Sequence, residues 1–192
     1  MKNKFLSSLC AVALGAASLS SCDKVKETIA GPATFDLNGL EATINVPIVN
    51  DLASHSNIGT GTFSYNIDSF IRAQTADQLG IKNIDEYYIT SCNMTINNPD
   101  TANNFANFEQ VQASFSTPTN TTPVTIAEIP SNPNTYAATL SVPVNSTTNL
   151  RSYMPNSGPI TFTCQLGGKM RKVTNKVLTV KVVVTSRFHV AP

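Results

Sequence analysis

Four cysteines are the residues of this chain best able to do chemistry, because a thiol is the strongest side-chain nucleophile at neutral pH. Cys10 lies inside an apolar run and reads as a packing residue. Cys22 closes the sequence Leu19-Ser20-Ser21-Cys22. Cys92 and Cys164 fall on the apolar faces of two expected strands. Either they bridge two core strands, if their Cα atoms come within about 7 Å, or they pack as two buried free thiols. The only histidines, His55 and His189, are far apart, and neither sits in a Cys or His cluster. A zinc site needs three or four ligands, so no metal site is expected. No strand–Gly-x-Ser-x-Gly–helix signature is present. Gly59-Thr60-Gly61 lacks the third glycine and the long helix of a phosphate loop, and reads as a turn entering a strand. Asp85 and Glu86 are adjacent, so in a strand they point to opposite faces and form no acid–base pair. No catalytic residue and no cofactor is expected, and the chain is not read as an enzyme.

The amino terminus carries a stronger signal. Lys2 and Lys4 make a cationic start, and an apolar run follows from Phe5 to about Ala17. Phe5 to Leu19 is 15 residues, short of the ~20 that cross a bilayer as a helix. A charged start, a short apolar core and small residues at its end describe a secretory signal peptide. Leu19-Ser20-Ser21-Cys22 then resembles the lipobox of bacterial lipoproteins: Leu, two small residues, Cys. The resemblance implies cleavage between Ser21 and Cys22 and a diacylglyceryl thioether on Cys22, with the freed amine acylated in many such proteins. One acyl chain binds a membrane marginally, whereas two or three make a durable anchor. The alternative is a conventional signal peptide with an incidental Cys22. Asp23 resembles the inner-membrane retention signal of enteric bacteria, which other Gram-negative lineages do not follow. The expectation is a Gram-negative envelope lipoprotein, at the outer membrane in preference to the inner.

Composition excludes several classes. The 192 residues carry 13 Lys+Arg against 12 Asp+Glu, a net charge of +1. That balance gives no field for a nucleic-acid backbone. At 41% hydrophobic and 13% charged, the chain is too apolar for disorder. Residues 1–21 are expected as signal peptide, 22–32 as a lipidated tether ending in Ala30-Gly31-Pro32, and 33–192 as one domain.

The elements of that domain follow from period-two alternation. Strands are expected over Leu40–Val49, Thr62–Ile67, Tyr88–Ile96, 108–116, around Val124 and Ile126, Tyr136–Val144, and Ile160–Leu166. The last is the clearest: Leu178, Val180, Val182, Val184, Phe188 and Val190 face one way, and Lys181, Thr185, Arg187 and His189 the other. Asp68 could cap a helix carrying Phe70, Ile71 and Leu79 and ended by Gly80. Ser146 or Thr147 could cap a single turn through Asn149-Leu150-Arg151. Turns are marked at Asn97-Asn98-Pro99-Asp100, Pro130-Ser131-Asn132-Pro133, Asn156-Ser157-Gly158-Pro159 and Gly167-Gly168. About eight short strands with one or two short helices predict an all-β fold, a two-sheet β-sandwich of Ig-like architecture, with a closed barrel as runner-up. A transmembrane barrel would need a lipid-facing band and aromatic girdles, which are missing.

Three surface features remain. Lys169, Arg171, Lys172 and Lys176 form a basic cluster between two strands, suited either to anionic lipid or lipopolysaccharide phosphate or to a solvated hairpin loop. Asp100-Thr101-Ala102 resembles a short O-glycosylation acceptor of some Gram-negative envelope proteins, which makes Thr101 a candidate site. The ring platforms that suit sugars are limited to tyrosines, since there is no Trp. The leading expectation is a non-catalytic binding module for a protein or glycan ligand, held to the membrane by the lipid on Cys22 and contacting its ligand through loops at one end of the sandwich. The alternative is a structural subunit of an envelope assembly, and an enzyme is a distant third.

Overall fold

The computed structural model describes residues 31–192. The signal segment, Cys10, Cys22 and Asp23 lie outside the described residues. Eight strands follow: β1 (Ala33–Val46), β2 (Ser56–Tyr65), β3 (Ile84–Ile96), β4 (Phe108–Ser116), β5 (Val124–Ile129), β6 (Thr139–Val142), β7 (Ile160–Met170) and β8 (Leu178–Val190). One helix, α1 (Ile67–Gln74), and short 3-10 turns at Ile81–Asn83, Phe105–Asn107 and Arg151–Tyr153 accompany them. The strands form two antiparallel sheets, ordered β1-β8-β3-β6 and β2-β7-β4-β5. This is the expected two-sheet sandwich.

Its connectivity has a simple rule. β1 pairs with β8, β2 with β7, β3 with β6 and β4 with β5. The chain is therefore one long hairpin of four nested strand pairs, rolled so that β8 also meets β3 and β7 also meets β4. That is the strand order of an eight-stranded jelly roll. The Ig-like expectation holds for the two packed antiparallel layers, within which the chain is wound as a jelly roll.

The core is built from the inward faces. β8 alternates without interruption, burying Leu178, Val180, Val182, Val184, Phe188 and Val190. Its one inward polar residue, Ser186, meets the Tyr87 hydroxyl at 3.2 Å, so neither buried oxygen lacks a partner. Burial raises the Tyr87 phenol well above its ordinary pKa range. The Tyr87 ring stacks on Phe188 with centroids 4.9 Å apart.

β1 starts earlier than its alternation suggests. Between Leu37 and Leu40 it gains one residue over β8, and Gly39 adopts φ +77° there. This bulge moves the inward phase from Leu37 to Leu40. β3 is bulged twice, between Ile84 and Glu86 and between Ile89 and Ser91.

Several sequence expectations are corrected. Gly167-Gly168 lies inside β7 and Gly59-Thr60-Gly61 inside β2, not in turns. These glycines serve close approach instead. A Cβ on Gly61 would come within 2.5 Å of the Thr43 carbonyl, and one on Gly168 would overlap the Gln110 carbonyl. The helix ends at Gln74 rather than Gly80. Asn66 caps it by accepting from Ser69 N at 3.0 Å. Asp68 instead accepts from Ile81 N at 2.8 Å and from Arg72 Nε at 2.7 Å. β6 is only four residues long, which leaves Tyr136 in a loop.

Candidate functional site

Antiparallel pairing fixes which loops share an end. Ala33 is opposite Val190, and Val46 is opposite Leu178. The β1–β2 and β7–β8 loops therefore meet at the end remote from residue 33. The β3–β4 and β5–β6 loops join them there, since Ile96 pairs with Val180 and Thr95 with Thr139.

Asparagines tie three of these loops together, and Thr174 ties in the fourth. Asn103 Nδ2 donates to Asn175 Oδ1 at 2.6 Å and to Asp100 Oδ1 at 2.9 Å. Asn107 Nδ2 donates to the carbonyls of Ala102 and Val173 at 2.9 and 3.2 Å. Asn132 Nδ2 donates to the carbonyls of Phe105 and Phe108 at 2.7 and 3.0 Å. Asn98 Nδ2 donates to the Val177 carbonyl at 3.0 Å. From the β1–β2 loop, Val49 N donates to Thr174 Oγ1 at 3.3 Å. Asn103, Asn104, Asn107 and Asn132 are buried. An amide offers a donor and an acceptor at once, so each can replace the ladder bonds that a loop lacks. Sequence reasoning noted Asn98 and Asn132 only as turn formers and passed over Asn103, Asn104 and Asn107. Their density over 97–107 was the available signal.

The same loops carry the exposed apolar groups. Ile48 and Leu52 stand on the β1–β2 loop, Tyr136 on the β5–β6 loop, and Val173 and Val177 on the β7–β8 loop. Their exposures run from 40% at Leu52 to 59% at Tyr136. Among the described residues, no other large hydrophobic side chain reaches comparable exposure. Exposed apolar residues gathered at one end, rather than scattered, make it the candidate interaction surface.

The basic cluster is mostly committed within the fold. Lys169 pairs with Glu109 at 3.2 Å and Lys176 with Asp100 at 2.6 Å. The Lys176 ammonium and the Asn103 amide hold the Asp100 carboxyl down to about 2. Arg171 turns inward onto three backbone carbonyls. Lys172 remains exposed. Thr101 is exposed on the β3–β4 loop at this same end, and its carbonyl accepts from Asn104 Nδ2 at 3.3 Å.

Elsewhere, Cys92 on β3 and Cys164 on β7 enter the core from opposite sheets. No bridge joins them: both are buried free thiols. Sheets pack about 10 Å apart, and each thiol fills the interior as a small apolar group. Burial pushes both up to about 12. His189 pairs with Asp85 at 2.7 Å on the outer face of the first sheet, near the termini. His55 lies on the β1–β2 loop, so the two histidines are at opposite ends. Among the described residues no three metal-ligating side chains come together, and no helix is long and apolar enough to cross a membrane.

Compared with known proteins, the chain matches no family model and no curated protein.

Proposed function

We propose that the chain is a lipid-anchored, non-catalytic binding module of a bacterial envelope, held to the membrane through Cys22 and engaging a protein partner through its apolar loop end. The carrying observation is that Ile48, Leu52, Tyr136, Val173 and Val177 all project from loops at that one end. The amino-terminal sequence supports the anchor. The geometry of β1 supports the orientation: 14 residues at about 3.3 Å each span roughly 45 Å. A lipid on Cys22 would leave the loop end turned away from the anchoring membrane and open to a partner. The outer membrane is preferred to the inner.

Recruitment through a bare sheet edge, as an assembly subunit would use, has less in its favour. The exposed edge of β5 is partly closed by the chain itself: Glu128 N donates to the Pro143 carbonyl and Asn145 N to the Ile126 carbonyl, each at 3.0 Å.

The test is photo-crosslinking in intact cells. A crosslinker at Leu52 or Val173 should capture one reproducible protein neighbour, and a crosslinker at Thr161, exposed near the opposite end, should not. If the loop positions capture nothing reproducible, the reading fails.

A further inference from the structure

We infer that the outer face of the second sheet carries a separate polar site for a neutral glycan. It lies just below the loop end, where the four strands of that sheet present one row of residues: Asn57, Gly167, Gln112 and Glu128. All four stand on the solvent side, since Leu166, Val111 and Ala127 beside them face the core. Gly167 interrupts the row. With no side chain there, the His55 ring and the Gln112 amide close over the strand, and Gly167 is itself buried. A Cβ on Gly167 would lie 3.3 Å from His55 Cε1 and 3.4 Å from Gln112 Oε1. Beside these two side chains lies a cavity of about 250 Å³, walled by His55, Gln110, Gln112, Glu128 and Pro130. Glu128 and Pro130 also wall a neighbouring cavity of about 590 Å³ along β5, so the two form adjoining subsites around one strand end.

The side chains here hold unused hydrogen-bonding capacity. Gln112 commits its amide nitrogen to Thr125 Oγ1 at 2.8 Å and keeps its carbonyl oxygen for the groove. Among the described residues, no side-chain hydrogen bond or ion pair engages His55, Gln110 or Glu128. Asp36, Glu41, Asp68, Asp85, Asp100 and Glu109 each have a basic partner, whereas the Glu128 carboxylate faces the cavity without one.

The chemistry of the set selects the ligand. A carboxylate and a Gln carbonyl accept from hydroxyls, and the Gln110 amide can both donate and accept. Neighbouring hydroxyls of a sugar can engage such groups in pairs. The His55 ring and Pro130 on the cavity walls suit the apolar C–H face of a pyranose. Small-molecule sites combine an apolar surface with a few converging polar groups in this way. A phosphate would be repelled by Glu128 and met by no cation in the cavity. A bare divalent ion would lack ligands, since no three metal-ligating side chains gather among the described residues.

This site does not depend on the apolar loops, so the two readings fail separately. Full-length protein in detergent is titrated calorimetrically with cellohexaose, maltohexaose, mannohexaose and chitohexaose. At least one should bind, and Gln112→Ala and Glu128→Ala should each weaken it about tenfold or more, a difference of about 1.4 kcal/mol. Gly167→Ala, whose methyl would press on the cavity-lining His55 and Gln112 from beneath, should weaken it similarly while the melting temperature stays close to that of the parent. Lys172→Ala, outside the groove, should leave affinity unchanged. The inference is overturned if no hexasaccharide binds below ~10 mM, an affinity weaker than about 3 kcal/mol. It is equally overturned if one binds and the Gln112, Glu128 and Gly167 variants all bind it as the parent does.

Discussion

Arg171 donates to the backbone carbonyl of Asn132 at 2.5 Å, which bolts the β7–β8 loop to the β5–β6 loop. Its other terminal nitrogen reaches the carbonyls of Ala106 and Phe108 at 2.9 and 3.3 Å, adding the β3–β4 segment. Charged hydrogen bonds contribute about 1.5–3 kcal/mol, and their loss strands the buried partner. Arg171→Ala should therefore lower unfolding stability by about 2 kcal/mol. Its neighbour Lys172 is solvated, and Lys172→Ala should stay within about 0.5 kcal/mol. Urea unfolding of both variants checks the contrast.

Gly167 and Gly168 are consecutive yet constrained by different things. Gly168 faces inward against the Gln110 carbonyl, a backbone atom that cannot step aside. Gly168→Ala should cost about 2 kcal/mol or more. Gly167 faces outward beneath the mobile ends of His55 and Gln112, and Gly167→Ala should cost less than about 1 kcal/mol. Thermal melts of the two variants should separate by several degrees.

Cys92 and Cys164 should resist alkylation in the native protein. A thiolate is the reactive form, and burial holds both groups at about 12. At pH 8, iodoacetamide should label neither. Both should take up label once denaturant is added, and intact-mass spectrometry reads the two additions. Labelling of the folded protein would contradict their burial.

Asp100 predicts a pH window. Its folded pKa is lowered to about 2 from the ordinary 3.8, first by the Lys176 hydrogen bond and then by Asn103. A depressed carboxyl stabilises the fold above its unfolded pKa and loses that contribution as pH falls through the folded value. Parent protein should exceed Asp100→Asn in stability at pH 5, with the gap shrinking between pH 4 and pH 2. Guanidinium midpoints across that range show the closing gap, and added salt should narrow it because the pair is exposed.

The anchor has its own test. Cys22→Ala should release the protein from membranes into the soluble fraction and abolish the lipid mass on the mature chain. A variant that stays membrane-bound with its lipid mass intact would refute lipidation at this position.

How far these features can be read from sequence depends on how local they are. β8 was legible because Leu178 to Val190 alternate without a break. β1 was legible only from Leu40, since the bulge at Asn38-Gly39 reverses the phase that marks Phe35 and Leu37 as inward. Gly167-Gly168 resembled a turn because glycine pairs usually are turns, and only the neighbouring β4 backbone explains them as strand residues. Loops at one end of the sandwich were expected to carry the binding surface, but which residues stand there was not legible. Ile48, Tyr136 and Val173 come together only through strand register. Glu128 carries no local signal, for its place on the cavity wall depends on the pairing of β5 with β4.

The nested pairing of β1 with β8 also orders events in time. The last strand of the domain belongs in the middle of its sheet, between β1 and β3. Until it emerges, those two strands lack the neighbour that joins them, and the first sheet cannot close. A nascent chain of this topology thus stays slack for most of its synthesis, a state suited to threading through a narrow translocation pore. Its first sheet can close only once β8 is available to sit between β1 and β3.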